Sequence, residues 1–167
     1  MELDLKKYLK KYFGEEADFF RFNGNYGDSV IWHGTMKLLC DMNIKINNVD
    51  MASKVKNSIL FIDGGGNFVD YYSDVRDFLE KKHGLYKKII ILPHTIYGQK
   101  QIKILGEIKN AAIFCREKIS AEFCMRYAKM SEVYTWHDCA FYNRFNKNNN
   151  GQGTLNVFRE DCESKVE

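Results

Sequence analysis

After Lys88 the chain runs Ile89-Ile90-Ile91-Leu92 without a polar break, and no other stretch constrains the fold as strongly. A strand on a half-exposed sheet alternates apolar with polar residues. A short uninterrupted aliphatic strand needs cover on both faces, which a parallel sheet gains from helices packed above and below it. Around it, short β-rich runs alternate with stretches of helical period. Residues 17–22 read as a strand and residues 29–42 as a helix, because Ile31, Thr35, Leu38, Leu39 and Met42 recur on one face, with Asp28 placed to cap it. Residues 44–49 and 58–63 read as strands, the second entering Gly64-Gly65-Gly66. Residues 68–83 are expected as a helix whose apolar stripe is Phe68, Tyr71, Tyr72, Val75, Phe78 and Leu79, with His83-Gly84 as its stop. Residues 99–109 and 118–129 read as helices, and 111–115 and 132–136 as strands.

The β-α-β-α order predicts an α/β fold, a doubly wound Rossmann-like three-layer sandwich with a mainly parallel sheet and right-handed crossovers. In such a sheet ligands sit beyond the carboxyl ends of the strands. Residues 1–142 are expected to form this domain. The polar, glycine-tipped residues 143–153 read as a linker or loop, and residues 154–167 as a further strand near Leu155 followed by an acidic tail.

At 167 residues the chain holds about one domain of roughly 150 residues. It is 45% hydrophobic and 28% charged, with Pro93 its single proline, a balance that folds rather than stays disordered. Net charge is 25 − 22 = +3, too little for a nucleic-acid-binding surface. The aliphatic run of four residues is far below the roughly 20 needed for a membrane span. Residues 1–13 intersperse lysines with leucines and show no apolar signal core, so a cytoplasmic chain without a transmembrane segment is expected. The five cysteines are odd in number and lack a C-x-x-C pair, which fits reduced thiols and no metal site.

The informative loops all follow strands. In Asn23-Gly24-Asn25-Tyr26-Gly27-Asp28, two glycines let backbone approach a ligand ahead of a helix N-terminus, although Asp28 would repel a phosphate there; a tight turn with an Asp cap is the competing reading. Gly64-Gly65-Gly66-Asn67 offers amides to a carboxylate, phosphate or sugar hydroxyl, or else marks a crowded turn. His94, after Pro93, is a candidate to donate to an oxyanion or to act as a general acid, or is simply hydrogen-bonded. Arg116 ends an apolar strand where a guanidinium can grip a carboxylate or phosphate at two points, with Lys118 behind it; pairing with Glu117 or another acid is the alternative. Asp138 suits a sugar hydroxyl or a turn cap.

Taken in order, these segments resemble the polysaccharide pyruvyl transferase family: Gly24-Asn25-Tyr26-Gly27-Asp28, Gly64-Gly65-Gly66-Asn67-Phe68, Leu92-Pro93-His94-Thr95-Ile96, Arg116-Glu117-Lys118-Ile119-Ser120, Asp138-Cys139-Ala140-Phe141 and Val157-Phe158-Arg159-Glu160-Asp161. The resemblance implies one half of a B-type glycosyltransferase-like fold. It also implies transfer of pyruvate from phosphoenolpyruvate, the donor substrate in place of any cofactor, to two sugar hydroxyls as a ketal in surface polysaccharide biosynthesis. On this reading Arg116 and His94 are catalytic, and Asn25, Gly27, Asp28, Gly64, Gly65, Gly66, Asn67, Lys118 and Asp138 bind substrate. The partner is a sugar or lipid-linked saccharide acceptor, and the family's substrates would place the chain at the inner membrane face. The family's C-terminal half, with its general-acid histidine, has no counterpart in this sequence. The resemblance therefore leaves open whether the chain turns over alone, or as a homodimer or with a second domain in trans. His94 and Cys139 stand where relatives commonly have Gln and Met. A sugar-nucleotide-binding glycosyltransferase half and a non-catalytic assembly domain are the alternatives.

Overall fold

The structure, a computed structural model, describes residues 2–143. The chain forms α1 (Leu5–Leu9), β1 (Glu16–Phe20), α2 (Tyr26–Asp41), β2 (Lys45–Val49), β3 (Ile59–Ile62), β4 (Gly65–Val69) and α3 (Asp74–Lys82). It continues through β5 (Lys88–Tyr97), α4 (Ile102–Glu107), β6 (Ala111–Cys115), α5 (Lys118–Tyr127), β7 (Glu132–Thr135) and a 3-10 turn at Cys139–Tyr142. The strands make one seven-stranded sheet in the order β2-β1-β3-β5-β6-β7, with β4 also paired to β5. Every named pair is parallel.

Both faces of the sheet are covered, as the unbroken Ile89–Leu92 run requires. Ile89 and Ile91 point into a layer with Val75, Phe78 and Leu79 of α3, Ile104 and Leu105 of α4, and Ala121 and Cys124 of α5. Ile90 and Leu92 point the other way, toward Leu5 and Leu9 of α1, Leu38 and Leu39 of α2, and Cys139. The alternation of one strand between two apolar layers is the three-layer sandwich written in side chains. The lysine-rich N-terminal helix packs on the sheet through Leu5, Tyr8 and Leu9. No helix among the described residues is long and apolar enough to cross a membrane. The expected strand near Leu155, the acidic tail and residues 144–153 of the polar stretch lie outside the described residues.

Two elements differ from the sequence reading. Helix α2 begins at Tyr26, three residues earlier than its apolar period suggested. Asn25, not Asp28, is its cap: Asn25 Oδ1 accepts from the backbone N–H of Gly27 (2.8 Å) and Asp28 (3.3 Å). Asp28 Oδ2 accepts in return from the Asn25 N–H at 2.8 Å, a reciprocal capping box.

The larger difference follows the three glycines, where β4 replaces the first turn of the expected helix and α3 starts only at Asp74. Strand β5 outruns β3: Ile62 pairs with Ile91, leaving the second half of β5 with an open edge. Gly65 resumes the pairing opposite His94 in the same register, and a bulge before Phe68 shifts it by one. Strands β3 and β4 are thus one strand interrupted at Asp63-Gly64. Ladder hydrogen bonds at this edge outweigh the helical spacing of Phe68, Tyr71 and Tyr72, which was coincidental: Phe68 is buried whereas Tyr71 is exposed.

Gly34 lets α2 lie directly against the turn at Cys139–Tyr142. A Cβ there would meet the Cys139 carbonyl oxygen at 2.0 Å and its carbon at 2.8 Å, both backbone atoms. Alanine in a helix interior ordinarily gains about 1 kcal/mol over glycine. Gly34→Ala should reverse that sign and lose about 1–3 kcal/mol in chemical denaturation through overpacking; equal or greater stability would show that α2 and the turn do not touch as described.

Candidate functional site

The carboxyl ends of β1, β3, β6 and β7, with the start of β4, surround a cavity of about 820 Å³. Its walls come from Phe22 to Ile31 after β1, Gly66, Asn67 and Tyr72, Arg116 after β6, and Asp138, Ala140 and Phe141 after β7. It therefore lies where an open parallel sheet binds ligands, next to the strand-order reversal between β1 and β3. Four of the loops singled out from sequence contribute lining residues. The fifth, around His94, lies beneath them.

Arg116 is the one cation in the wall among the described residues and is held on two sides. Its Nε donates to Thr95 Oγ1 at 2.7 Å, and its Nη1 donates to Asp138 Oδ2 at 3.0 Å in an ion pair. The second amino group, Nη2, lies 3.4 Å from where a Gly66 Cβ would be. Gly66 thus lies within van der Waals reach of the guanidinium. Glu117 is not its partner: that side chain caps α5 by accepting from the Ser120 N–H at 2.7 Å. A cavity-lining guanidinium already fixed through Nε and Nη1 can meet an incoming carboxylate or phosphate with little reorganisation.

The structure distributes the other sequence candidates differently. Asn25, Gly27, Asp28, Gly66, Asn67 and Asp138 line the cavity with Arg116. Gly64 and Gly65 are buried behind the wall, and Gly65 has φ +142, with Phe22 Cζ 2.8 Å from its missing Cβ; they serve packing, the crowded-turn alternative. Because β4 begins here, no helix N-terminus backs these amides. Asn67 lends its side chain to the start of α3, its Nδ2 donating to Asp74 Oδ2 at 3.2 Å and its Oδ1 accepting from the Val75 N–H at 3.4 Å. Lys118 is outside the lining; its side chain is 87% exposed and pairs with Glu122 at 3.6 Å. Asp138 is engaged through both oxygens, Oδ2 with Arg116 and Oδ1 with the Ala140 N–H at 2.8 Å.

His94 is fully buried between Phe22 and Phe68, whose rings meet it edge-on at 5.7 and 6.2 Å. Its Nδ1 lies 3.0 Å from the Asp63 carbonyl oxygen. A carbonyl only accepts, so Nδ1 carries the proton and Nε2 is a buried acceptor with no described partner. Burial, reinforced by the Arg116 charge, lowers its pKa to about 3. A buried, neutral ring outside the described lining, with its Nδ1 proton donated to a backbone carbonyl, is poorly placed to donate a proton into the cavity as the sequence reading expected.

Sequence reasoning missed Asp63, which ends the SILFID run as an ordinary strand-terminal acid. It is buried, accepts from Thr35 Oγ1 and the Gly64 N–H at 2.9 Å each, and burial pushes its carboxyl up to about 7 against those donors. Also missed were the apolar wall residues Phe22, Val30, Tyr72 and Phe141, for which no local signal distinguished lining from core. No group of three or more potential metal ligands occurs among the described residues.

The fold and the loop cluster define an α/β protein with a ligand cavity at its sheet's carboxyl edge. The family model described as "Polysaccharide pyruvyl transferase" matches residues 25–165, and the chain belongs to that family. It is 31% identical over 132 residues to "Putative pyruvyl transferase EpsO" of Bacillus subtilis (strain 168), a match covering 70% of this chain and 41% of that protein. Among solved structures it is similar to "a functional uncharacterized protein KP1_0663 from Klebsiella pneumoniae subsp. pneumoniae NTUH-K2044", with 28% identity and a TM-score of 0.77 over 95% of this chain and 64% of the other. The chain thus spans less than half the length of the curated relative and just under two thirds of the solved one.

Two of the buried titratable groups, His94 and Asp63, oppose each other. Unfolded His94 takes up a proton below its ordinary 6.5 that the folded ring refuses until about 3, so its contribution to stability is lost as pH falls through that window. Folded Asp63 keeps a proton from its ordinary 3.8 up to about 7, so it adds stability as pH falls through its window. His94→Gln keeps a donor for the Asp63 carbonyl and removes only the first effect. Between pH 6.5 and 4 the variant should gain on the wild type by about 1.4 kcal/mol per pH unit in urea denaturation; a pH-independent difference would mean that His94 is not held neutral.

Proposed function

We propose that this cavity is a pyruvyl-transfer site in which Arg116 holds the carboxylate of phosphoenolpyruvate beside a saccharide acceptor. The observation that carries it is the fixed guanidinium of a cavity-lining arginine, anchored by Thr95 and Asp138 with Nη2 beside Gly66. Family membership and the convergence of four loops on that group support the same reading.

The reaction is an exchange of oxygens at C2 of the donor. A proton adds to the methylene carbon, C2 becomes electron-poor, and one sugar hydroxyl adds there as it loses its proton. Inorganic phosphate departs with the C2–O electron pair, and the second hydroxyl adds to C2 and closes the ketal as its proton passes to the departing phosphate. A guanidinium on the carboxylate fixes C2 in place and compensates part of the donor's charge in a partly closed cavity. The role this geometry supports for Arg116 is binding and orientation.

The test is a ligand series on the intact chain. Phosphoenolpyruvate should raise the melting temperature and shift the Gly66 and Arg116 amide resonances, whereas a uridine diphosphate sugar should do neither. Hydrogen bonds to charged groups contribute about 1.5–3 kcal/mol, so Arg116→Ala should bind phosphoenolpyruvate roughly ten- to a hundredfold more weakly, with Arg116→Lys recovering only part because the fork is lost. A response to the nucleotide sugar alone would favour a glycosyltransferase site, and a response to neither would favour an assembly domain.

A further inference from the structure

We propose that Phe141 is the stacking platform for the acceptor's sugar ring, placing the saccharide on the β7 side of the cavity and the donor's carboxylate on the Gly66 side. This rests on the reading of the cavity as a pyruvyl-transfer site. Three observations converge on it.

The first is charge. The charged lining residues are one guanidinium, Arg116, and two carboxyl groups, Asp28 and Asp138, and one of those acids is already paired with the guanidinium at 3.0 Å. Among the described residues Arg116 is the group that can meet the donor's anionic end, and the uncharged remainder of the lining suits a ligand without charge.

The second is the placing of Phe141. Its side chain lines the cavity and yet is 76% exposed. An exposed aromatic ring at the cavity is a face with an apolar surface to cover, and the C–H face of a pyranose supplies that surface while its hydroxyls point edgewise. Asn25 and Asp28 line the same cavity and are polar groups that such hydroxyls could meet.

The third is rigidity. The turn that carries Phe141 is fixed by its own bonds: the Phe141 N–H donates to the Asp138 carbonyl at 3.1 Å, and the Ala140 N–H to Asp138 Oδ1 at 2.8 Å. Asn143 Nδ2 ties it to α2 by donating to the Val30 carbonyl at 2.9 Å, and the Cys139 backbone rests on Gly34. His137 meets the Phe141 ring at 5.5 Å and 72°. A turn fixed in this way carries the exposed ring on backbone that is already ordered, which lowers the entropy lost when a ligand covers it.

The test uses the intact chain, methyl glycopyranosides of gluco, galacto and manno configuration, and saturation-transfer NMR. At least one glycoside should receive saturation through its ring C–H protons. Phe141→Ala should weaken that binding about fivefold, and Phe141→Tyr should retain it. The thermal response of Phe141→Ala to phosphoenolpyruvate should match the wild type, which shows that the fold and the anion side are intact. Glycoside binding lost in Phe141→Ala alone, with or without a wild-type response to phosphoenolpyruvate, supports the platform; absence of that donor response counts only against the role given to Arg116. Unchanged glycoside binding in Phe141→Ala, no glycoside binding in the wild type, or joint loss of both ligands in the variant would overturn the proposal.

Discussion

The pairing of β5 along its whole length decides where the site loops begin. Its first half is bonded to β3 and its second half to β4 on one edge, while β6 runs along the other. Because the strand is ten residues long and β3 only four, the chain after Ile62 must step sideways at Asp63-Gly64 and pair again. That step delivers Gly66 opposite Arg116, and it buries His94 under the wall rather than in it. Thr95, two residues before β5 ends at Tyr97, is then in reach of the guanidinium.

Arg116 connects the structural and the chemical sides of the molecule. Its Nε and Nη1 stitch β5 to the segment after β7 through Thr95 and Asp138, and the remaining amino group lies beside Gly66. An exposed arginine would pay side-chain entropy to close on a ligand; this one has already lost much of it in folding. The carboxyl of Asp138 holds the guanidinium in place and also offsets its charge.

Much of the architecture was legible in the sequence because it rests on periodicity and on burial of both sheet faces. The run Ile89–Leu92 implied a parallel sheet, and the period of residues 29–42 implied α2. Residues 111–115 coincide with β6. What was not legible depended on contacts between distant segments. The stripe Phe68, Tyr71, Tyr72 and Val75 has helical spacing, yet the open edge of β5 drew Gly65–Val69 into a strand. Arg116 and Asp138 could each be singled out, but no local pattern showed that they bond to one another 22 residues apart. His94 looked exposed to ligand because it follows a strand end, and only the bulge after Ile91 reveals that its ring turns into the core. Asp63 and Phe141 carried no signal, since a strand-terminal acid and a loop aromatic are ordinary in themselves.

The central claim is that the fixed guanidinium of Arg116 receives the donor's carboxylate in this cavity. A crystal structure of the chain with phosphoenolpyruvate tests it most directly. The account predicts carboxylate density about 3 Å from Arg116 Nη2, beside Gly66, with the bonds to Thr95 and Asp138 kept. Donor density elsewhere on the surface, such as at Lys118, with the cavity left to solvent, would contradict it.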